Sequence, residues 1–362
     1  MADYGVPPNP PYAVNAVTAV TSLAFSSLES LPASVAREYD GTMIKRFLIV
    51  LLAVQIGAML ALSLSLYRWW HPAWRAAVGA PVAALVCLSV AAAFVLLVRL
   101  LINANNFRMS RRARSIAPPD HALNPFTALK LFAHEFLSSM LTSSYYMLRP
   151  VGLRLQPHAR GLPVLLIHGY ACNSGYWLPM SKLLTQANVS HYGIDLEPPG
   201  ASIDDFVPQV RAAVERLCAE TGSKQVIVLA HSMGGLVARA YLRRHGHAHI
   251  ARVITLGTPH HGTTLAGFGP GSNAVQMRRG SAWLASLAGT EADLQRKLFS
   301  SIYSVHDNIV APQATIGVSA VVVDGFHQLP FGTGVGGVGE QGKKRNQTER
   351  GNANGQEGLA HG

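Results

Sequence analysis

Charged residues are scarce in this sequence. Asp, Glu, Lys and Arg account for 14% of the 362 residues, whereas hydrophobic residues account for 49%. Soluble domains carry about 25% charged residues, so this composition indicates that part of the chain lies in lipid. Acidic residues are rarer than basic ones: 19 Asp plus Glu stand against 30 Lys plus Arg, which gives a formal net charge of +11.

The sequence also lacks the motifs of nucleic-acid-binding proteins. Its basic residues do not form a stripe interleaved with aromatic residues, the pattern expected of a nucleic-acid surface. They flank apolar segments and occupy the C-terminal tail instead. We therefore expect no nucleic-acid partner and expect the basic residues to meet membrane headgroups.

Cysteine is nearly absent. The three cysteines, Cys87, Cys172 and Cys218, are an odd number, and their spacing matches no metal-ligand or redox motif. This pattern argues against a disulfide-stabilised domain and against a metal site. We expect free thiols, with Cys87 inside an apolar span.

Two long apolar segments account for the hydrophobic excess. Residues 47–67 and 76–98 contain no charged side chain, and about 20 such residues are needed to cross a bilayer as a helix. The connector between them, residues 68–75, contains three tryptophans, which favour the membrane interface. The pattern predicts a two-helix transmembrane hairpin over residues 43–102, with spans at about 47–67 and 76–98.

The flanking charges predict how the hairpin is oriented. Two arginines, Arg68 and Arg75, lie in the connector, whereas the outer flanks of the spans hold Lys45, Arg46, Arg108, Arg111, Arg112 and Arg114. By the positive-inside rule both chain ends then face the cytoplasm. A cleaved signal peptide is disfavoured because a second span follows, and a buried hairpin of a soluble protein would need a large shell of partners.

The remaining segments outside the α/β region are assigned from composition. We expect a disordered extension over residues 1–42, a linker over 103–124 and a disordered Gly-rich tail over 332–362. Residues 125–160 are expected to form an amphipathic helix and lead-in, which either covers the sheet or lies on the membrane surface. Met43 precedes two basic residues and the first apolar run, and we hypothesise that translation starts there.

From Gly161 to Phe331 apolar strands alternate with helical patterns. This alternation predicts one α/β domain, a mostly parallel sheet with helices on both faces. The predicted strands are 162–167, 189–195, 226–229, 251–256, 298–304 and 320–323. The predicted helices are 177–186, 204–220, 236–244 and 274–288.

The clearest motif of this domain begins at the strand Val226–Leu229. The strand runs into Ala230, His231, Ser232, Met233 and Gly234, a small-x-Ser-x-Gly sequence followed by a helical pattern. Such a strand, turn and helix presents the serine hydroxyl on a tight elbow. A plain turn is the alternative, but the flanking elements favour Ser232 as a nucleophile.

A serine nucleophile needs an acid that orients its base. Asp307 follows the strand 298–304 and is the predicted acid, because the acid follows the serine along the chain in this type of fold. Asp195 precedes the serine, and Asp324 lies only three residues from the predicted base.

The predicted general base is His327, which follows the strand 320–323 and a flexible Gly325. His306 is adjacent to the predicted acid, so its side chain is expected to point away. His231 is discounted as the base because consecutive residues diverge at the elbow. A surface loop histidine is the alternative reading of His327.

The oxyanion of a tetrahedral intermediate needs two backbone N–H donors. We assign one to Met233, which follows the nucleophile, and the other to Tyr170, in the turn after the strand 162–167. His168 and Gly169 are expected to shape that turn rather than to transfer protons.

Three motifs together resemble a known family. LLIHGY at residues 165–170, AHSMGG at 230–235 and LGTPHHGT at 256–263 are similar to bacterial triacylglycerol lipases and esterases of the α/β-hydrolase superfamily. The resemblance implies the α/β-hydrolase fold, a Ser232, Asp307 and His327 triad, an acyl-enzyme intermediate and no cofactor. It also implies that His260 and His261 lie beside the substrate pocket, with His168, Gly169 and His231.

The expected function is therefore a membrane-anchored serine hydrolase of carboxylic esters, with a lipid or other ester as substrate. We expect it in the bacterial inner membrane with the hydrolase domain facing the cytoplasm. An acyltransferase or thioesterase using the same triad remains open. So does a membrane binding or accessory protein whose catalytic site is impaired.

Overall fold

The computed structural model describes residues 42–113, 124–291, 293–304, 307, 310 and 319–323. Residues 1–41 of the predicted extension, 114–123 of the predicted linker and the whole predicted tail lie outside them, as does His327.

The N-terminal part is a helical hairpin. Helix α1 spans Thr42–Trp69, the short helix α2 spans Pro72–Val78 and helix α3 spans Ala80–Ala113. Helices α1 and α3 pack against each other. By length and composition both could cross a membrane: the apolar stretches Met43–Trp69 and Ala80–Met109 have 27 and 30 residues and mean hydropathies of 2.5 and 2.8. The described protein buries only 6% and 11% of their most apolar windows, so it provides no shell of partners for a soluble hairpin.

A polar contact joins the hairpin to helix α4, Pro125–Leu141. Arg99 on α3 donates to Gln55 Oε1 on α1 at 2.5 Å and to Met140 Sδ on α4 at 3.1 Å. The expected amphipathic helix is therefore present, and it packs against α3 rather than covering the sheet. Its exposed face includes Phe126 and Leu129, at 78% and 65% exposure.

Seven strands form one sheet in the order β1-β3-β2-β4-β5-β6-β7. Strand β1 is antiparallel to β3, and all other pairs are parallel, so the predicted mostly parallel α/β fold is confirmed. The two-residue strand β1 was too short to predict from a pattern. The strands are β1 Leu153–Arg154, β2 Val164–Ile167, β3 His191–Ile194, β4 Val226–His231, β5 Ile250–Leu256, β6 Phe299–Ser304 and β7 Ser319–Val323.

The helices of the α/β domain differ from the predicted pattern in two respects, one of which is the unpredicted short helix Asp293–Lys297. The predicted helix 274–288 is two helices, because Gly280 adopts φ +68° and the Ser281 side chain then caps the second one at the N–H of Leu284. The helices are α5 Leu178–Gln186, α6 Val207–Thr221, α7 Met233–His245, α8 Ser272–Gln276, α9 Ala282–Gly289 and α10 Asp293–Lys297.

Strand β2 shows how the sheet is covered on both faces. Leu165 and Ile167 belong to a core cluster with residues of α6 and α7. Val164 and Leu166 point the other way, into a cluster that includes Trp177 and residues of α5. Because all four side chains are buried, the strand has no polar alternation, as expected for a central parallel strand.

A buried ion pair ties α7 to the segment between α9 and α10. Arg239 and Glu291 have side chains only 2% and 5% exposed, and two nitrogens of the guanidinium donate to the two carboxylate oxygens. A third nitrogen donates to the backbone oxygen of His260 at 2.9 Å. Removal of one partner would leave the other charge buried without compensation.

We predict that Glu291→Ala lowers the free energy of unfolding by about 3 kcal/mol, the usual cost of breaking a buried pair. Thermal denaturation in detergent measures it. The matched control is Arg211→Ala, which removes an ion pair that is more than half exposed on α6 and is expected to leave the melting temperature nearly unchanged. Equal effects of the two variants would contradict the prediction.

Candidate active site

The centre of the sheet is a topological switch point. Strands β2 and β4 are neighbours, with β3 on the outer side of β2 and β5 on the outer side of β4. After β2 the chain therefore continues to one side of this pair, and after β4 it continues to the other side. In register, Ile167 of β2 lies beside Ala230, and His231 of β4 lies beside Leu256 of β5. The loops after all three strands therefore open at one edge, where α/β folds place their ligand sites.

Ser232 occupies the sharp turn at this edge. It lies between the last residue of β4 and the first residue of α7, with φ 50° and ψ −124°. A positive φ is rare for a residue with a side chain and is held here by the surrounding backbone, including the Ser232 N–H bond to the Leu256 carbonyl at 2.9 Å. The hydroxyl does not cap α7, although serine at such a position usually does.

Backbone crowding explains the small residues of the elbow. A Cβ on Gly234 would lie 2.6 Å from the carbonyl oxygen of His168, and one on Gly235 would lie 2.2 Å from Thr258 Oγ1. A Cβ on Gly169 would lie 2.9 Å from the Cβ of Ser232. The loops after β2 and β5 therefore contact the elbow directly.

The β2 loop, residues 168–175, is held by a neutral histidine. His168 is buried, its Nδ1 lies 2.9 Å from the Gly169 carbonyl oxygen, and its Nε2 accepts from the Leu196 N–H at 3.0 Å. Burial lowers the pKa of the ring, against an opposing effect of the Asp195 charge. Nε2 thus joins this loop to the segment after β3, while Nδ1 bonds within the loop itself.

Tyr170 ties the β2 loop to the segment after β5. Its hydroxyl donates to the Pro270 carbonyl oxygen at 2.7 Å, and burial raises its pKa to about 12, so it stays protonated at neutral pH. The side chain is held away from the elbow serine by this bond. Only the Tyr170 backbone N–H is then left as a candidate oxyanion donor.

Asp307 lies near the elbow. Its side chain is 3% exposed and accepts from the Val310 N–H at 2.8 Å. Burial raises the pKa of the Tyr176 hydroxyl, and the charges of Cys172 and Asp307 add to this effect. The Tyr176 ring stacks on His231, with centroids 4.3 Å apart. The charge of Asp307 therefore acts on Tyr176, whose ring contacts His231, the residue before Ser232.

The two histidines after β5 have different environments. His260 is 3% exposed, with Nε2 3.1 Å from Thr255 Oγ1, and burial holds the pKa of its ring well below the usual value. It packs edge to face on Phe299 of β6 and so joins neighbouring strands. His261 is exposed.

The predicted base, His327, lies outside the described residues. Strand β7 ends at Val323, in register with Ser304 at the end of β6, so the chain enters the segment of His327 at the active-site edge. Among the described side chains, none hydrogen-bonds to the Ser232 hydroxyl. No group of three or more His, Cys, Asp or Glu able to hold a metal ion was found among the described residues.

Sequence reasoning missed several residues that support the site. Ser174 holds Asp195 through its N–H at 2.6 Å and its hydroxyl at 3.2 Å. Tyr176 stacks on His231, and Arg239 pairs with Glu291. Each depends on a partner distant in sequence, so the local pattern around it gave no indication of its role.

We predict that Gly235→Ala lowers stability by about 1–3 kcal/mol, the usual cost of overpacking, because its Cβ would overlap Thr258. Combining it with Thr258→Ala is expected to recover part of the loss, since two of the overlapping atoms are then removed. Thermal denaturation of the single and double variants measures this. Gly267→Ala is the control, because a Cβ there meets no atom within 4 Å; an equal loss in that variant would contradict the steric explanation.

Residues 163–279 match the family model described as alpha/beta hydrolase fold. The chain is 33% identical over 119 residues to a triacylglycerol lipase of Pseudarthrobacter phenanthrenivorans and, over the same length, to one of Burkholderia plantarii. Each match covers 29% of this chain and 35% or 32% of the relative, so the chain spans about a third of the length of these curated relatives.

Solved structures similar to this chain include the mature Bacillus licheniformis lipase BlEst2, at 22% identity and a TM-score of 0.37 over 42% of this chain and 69% of that one. Aspergillus fumigatus lipase B has 20% identity and a TM-score of 0.39, over 45% of this chain and 43% of that one. From the sheet order and the family match together, we conclude that the chain contains an alpha/beta hydrolase domain that is similar in sequence to bacterial triacylglycerol lipases.

Proposed function

We propose that the protein is a membrane-anchored serine hydrolase that cleaves carboxylic esters through an acyl-enzyme intermediate. The main observation is the conformation of Ser232, which has a positive φ at the switch point of the sheet and a hydroxyl that does not cap α7. A strained residue of this kind persists only when its surroundings impose it. Here those surroundings are the crowded contacts of Gly169 and Gly234.

In the proposed reaction, Ser232 Oγ attacks the ester carbonyl while His327 takes the hydroxyl proton. The base then returns the proton to the departing alcohol, and a water molecule releases the acyl group by the same route. Asp307 orients the imidazole and stabilises its charged form. The order of these residues after β4, β6 and β7 supports this assignment, because β4, β5, β6 and β7 are neighbouring parallel strands in that order and end at one edge.

The proposed oxyanion donors are the backbone N–H groups of Met233 and Tyr170. Met233 is the first residue of α7, and the N–H groups of a first helical turn have no partner within the helix. The partial positive charge of the helix start also favours an anion at this point. Tyr170 directly follows Gly169 in the β2 loop, and a Cβ on that glycine would lie 2.9 Å from the Cβ of Ser232.

The proposed location is the inner membrane, with the two hairpin helices as the anchor and the hydrolase domain on the cytoplasmic side. This orientation follows from the basic residues outside the spans. The apolar surfaces of α1 and α3 are largely uncovered by protein, as expected for helices in lipid. A lipid ester or another apolar ester is the proposed substrate, and the curated relatives are named triacylglycerol lipases.

We predict that a fluorophosphonate probe labels the full-length protein in detergent at Ser232. Ser232→Ala is expected to abolish labelling and to reduce hydrolysis of a short-chain chromogenic ester by about 10³-fold or more. Ser139→Ala on the exposed side of α4 is the control and should retain both activities. Absence of labelling in the wild type, with correct folding, would favour a binding or accessory role instead.

We predict that Asp307→Asn and His327→Gln each lower kcat for that ester by about 10²-fold or more, since both act with the nucleophile. The melting temperature of the His327 variant should stay near that of the wild type. Undiminished kcat in either variant would remove that residue from the triad. Product analysis in the presence of added alcohols or thiols separates hydrolysis from acyl transfer.

A further inference from the structure

The first turns of α1 are buried against the hydrolase domain. Ile44 and Leu48 are 4% and 8% exposed, and they form a cluster with Met147, against which Leu148 and Cys172 also pack. Exposure rises to 49% at the next residue, Ile49. The start of the hairpin is therefore part of the domain's packing, whereas the residues that follow form its uncovered apolar section.

Cys172 belongs to the β2 loop, the loop proposed to carry the second oxyanion donor. Its N–H bonds to the Gly169 carbonyl oxygen at 3.3 Å, so it closes the turn that contains Tyr170. Burial raises the pKa of its thiol to about 12, and the side chain is a neutral packing group at neutral pH. The hairpin and this turn thus pack against the same apolar cluster, which includes Met147.

A polar contact reinforces the same junction. Glu197, in the segment after β3, accepts from the Met43 N–H through Oε1 at 3.2 Å. A glutamate oxygen at this position satisfies a free N–H of the first helical turn. Gln209 on α6 bonds both the N–H and the carbonyl of Glu197, so this acceptor is anchored to the core.

The segment that follows α4 holds the β2 loop from the same side. The Asn173 side chain donates to the Met147 carbonyl oxygen at 2.8 Å, and Ser174 Oγ accepts from the Val151 N–H at 3.0 Å. A Cβ on Gly175 would lie 2.4 Å from the Tyr146 carbonyl oxygen. The loop is therefore enclosed between this segment and the rest of the domain.

We propose that the first two turns of α1 position the β2 loop for catalysis, so that seating of the membrane hairpin is coupled to turnover. Ile44, Leu48 and Glu197 are then positioning residues, which act through the loop and do not contact the substrate. The inference rests on the proposed serine hydrolase function. It differs from simple anchoring, because an anchor alone would affect access to lipid but not the reaction with a water-soluble ester.

The coupling is tested with Leu48→Ala in the full-length protein in detergent micelles, assayed with a short-chain soluble ester. We expect kcat to fall by about tenfold or more with KM within about twofold, because an oxyanion donor acts in the transition state and small displacements are costly. Ile49→Ala is the matched control, one residue along the same helix and exposed, and should leave kcat unchanged. Leu48→Met should restore most of the activity.

The possible failures of this experiment are distinguishable. If the probe labels Ser232 in the wild type but kcat of Leu48→Ala equals that of Ile49→Ala, the coupling is overturned and the serine hydrolase function stands. If the wild type is not labelled, the proposed function itself has failed. A change in KM alone, with kcat equal to that of the wild type, would also overturn the coupling.

The Glu197 carboxyl provides a pH readout. Burial raises its pKa to about 7; the hydrogen bond from Met43 lowers it, the charge of Asp195 raises it and that of Arg46 lowers it. With α1 undocked, the carboxyl would face water and return towards its ordinary pKa of 4.5. Between these values the docked state binds more protons than the undocked state, so docking weakens as the pH rises through about 7.

We therefore expect the ratio of kcat for Glu197→Gln to that of the wild type to increase between about pH 6 and about pH 8. The amide keeps an oxygen acceptor for the Met43 N–H but does not titrate. Dividing by the wild-type rate removes the titration of the catalytic base, which both proteins share. A ratio that is constant across this range would show that Glu197 does not couple docking to turnover.

Discussion

Close backbone contact around Ser232 is the constraint on which the rest of the site depends. The elbow is compressed from two sides, by the β2 loop at Gly169 and by the loop after β5 at Thr258. Each contact leaves no room for a Cβ, and glycine is the only residue that lacks one. The strained turn persists because β2, β4 and β5 are buried parallel strands whose register fixes where these loops begin. Packing of the sheet therefore maintains a conformation that the isolated turn would not adopt.

Buried polar residues extend this constraint outward. His168 joins the β2 loop to the segment after β3, Tyr170 joins it to the segment after β5, and Arg239 joins α7 to the same region through the His260 carbonyl. Each of these groups has a backbone carbonyl or N–H as its partner. Such bonds fix the position of the main chain, which matters where backbone N–H groups are the proposed oxyanion donors.

In the proposed function, the packing of α1 beside the β2 loop gives the hairpin a second role besides anchoring. The uncovered section from Ile49 onward is the part proposed to contact lipid, while the buried turns of α1 share an apolar cluster with Cys172, and the Met43 N–H donates to Glu197. Because a helix moves largely as one element, the proposal links membrane placement and the geometry of the site to the same helix.

The order of the elements could be predicted from sequence because it depends on local patterns. Apolar β-branched runs such as Val226–Leu229 predict buried strands, and the small residues around Ser232 predict the elbow. The break between α8 and α9 was missed, because Gly280 within an apolar helical pattern does not by itself show that the helix ends. The two-residue strand β1 was missed because it exists only through its pairing with β3.

The sequence alone determined the fold class, the candidate nucleophile and the two apolar helices, since each is expressed within a short stretch of chain. Only the tertiary structure decided which distant residues meet around the site: the Arg239–Glu291 pair, the Tyr176–His231 stack and the apolar cluster shared by α1 and Cys172 of the β2 loop. These partners are separated by 52, 55 and well over a hundred positions along the chain. Their proximity follows from strand order and side-chain packing, and no local pattern of residues records it.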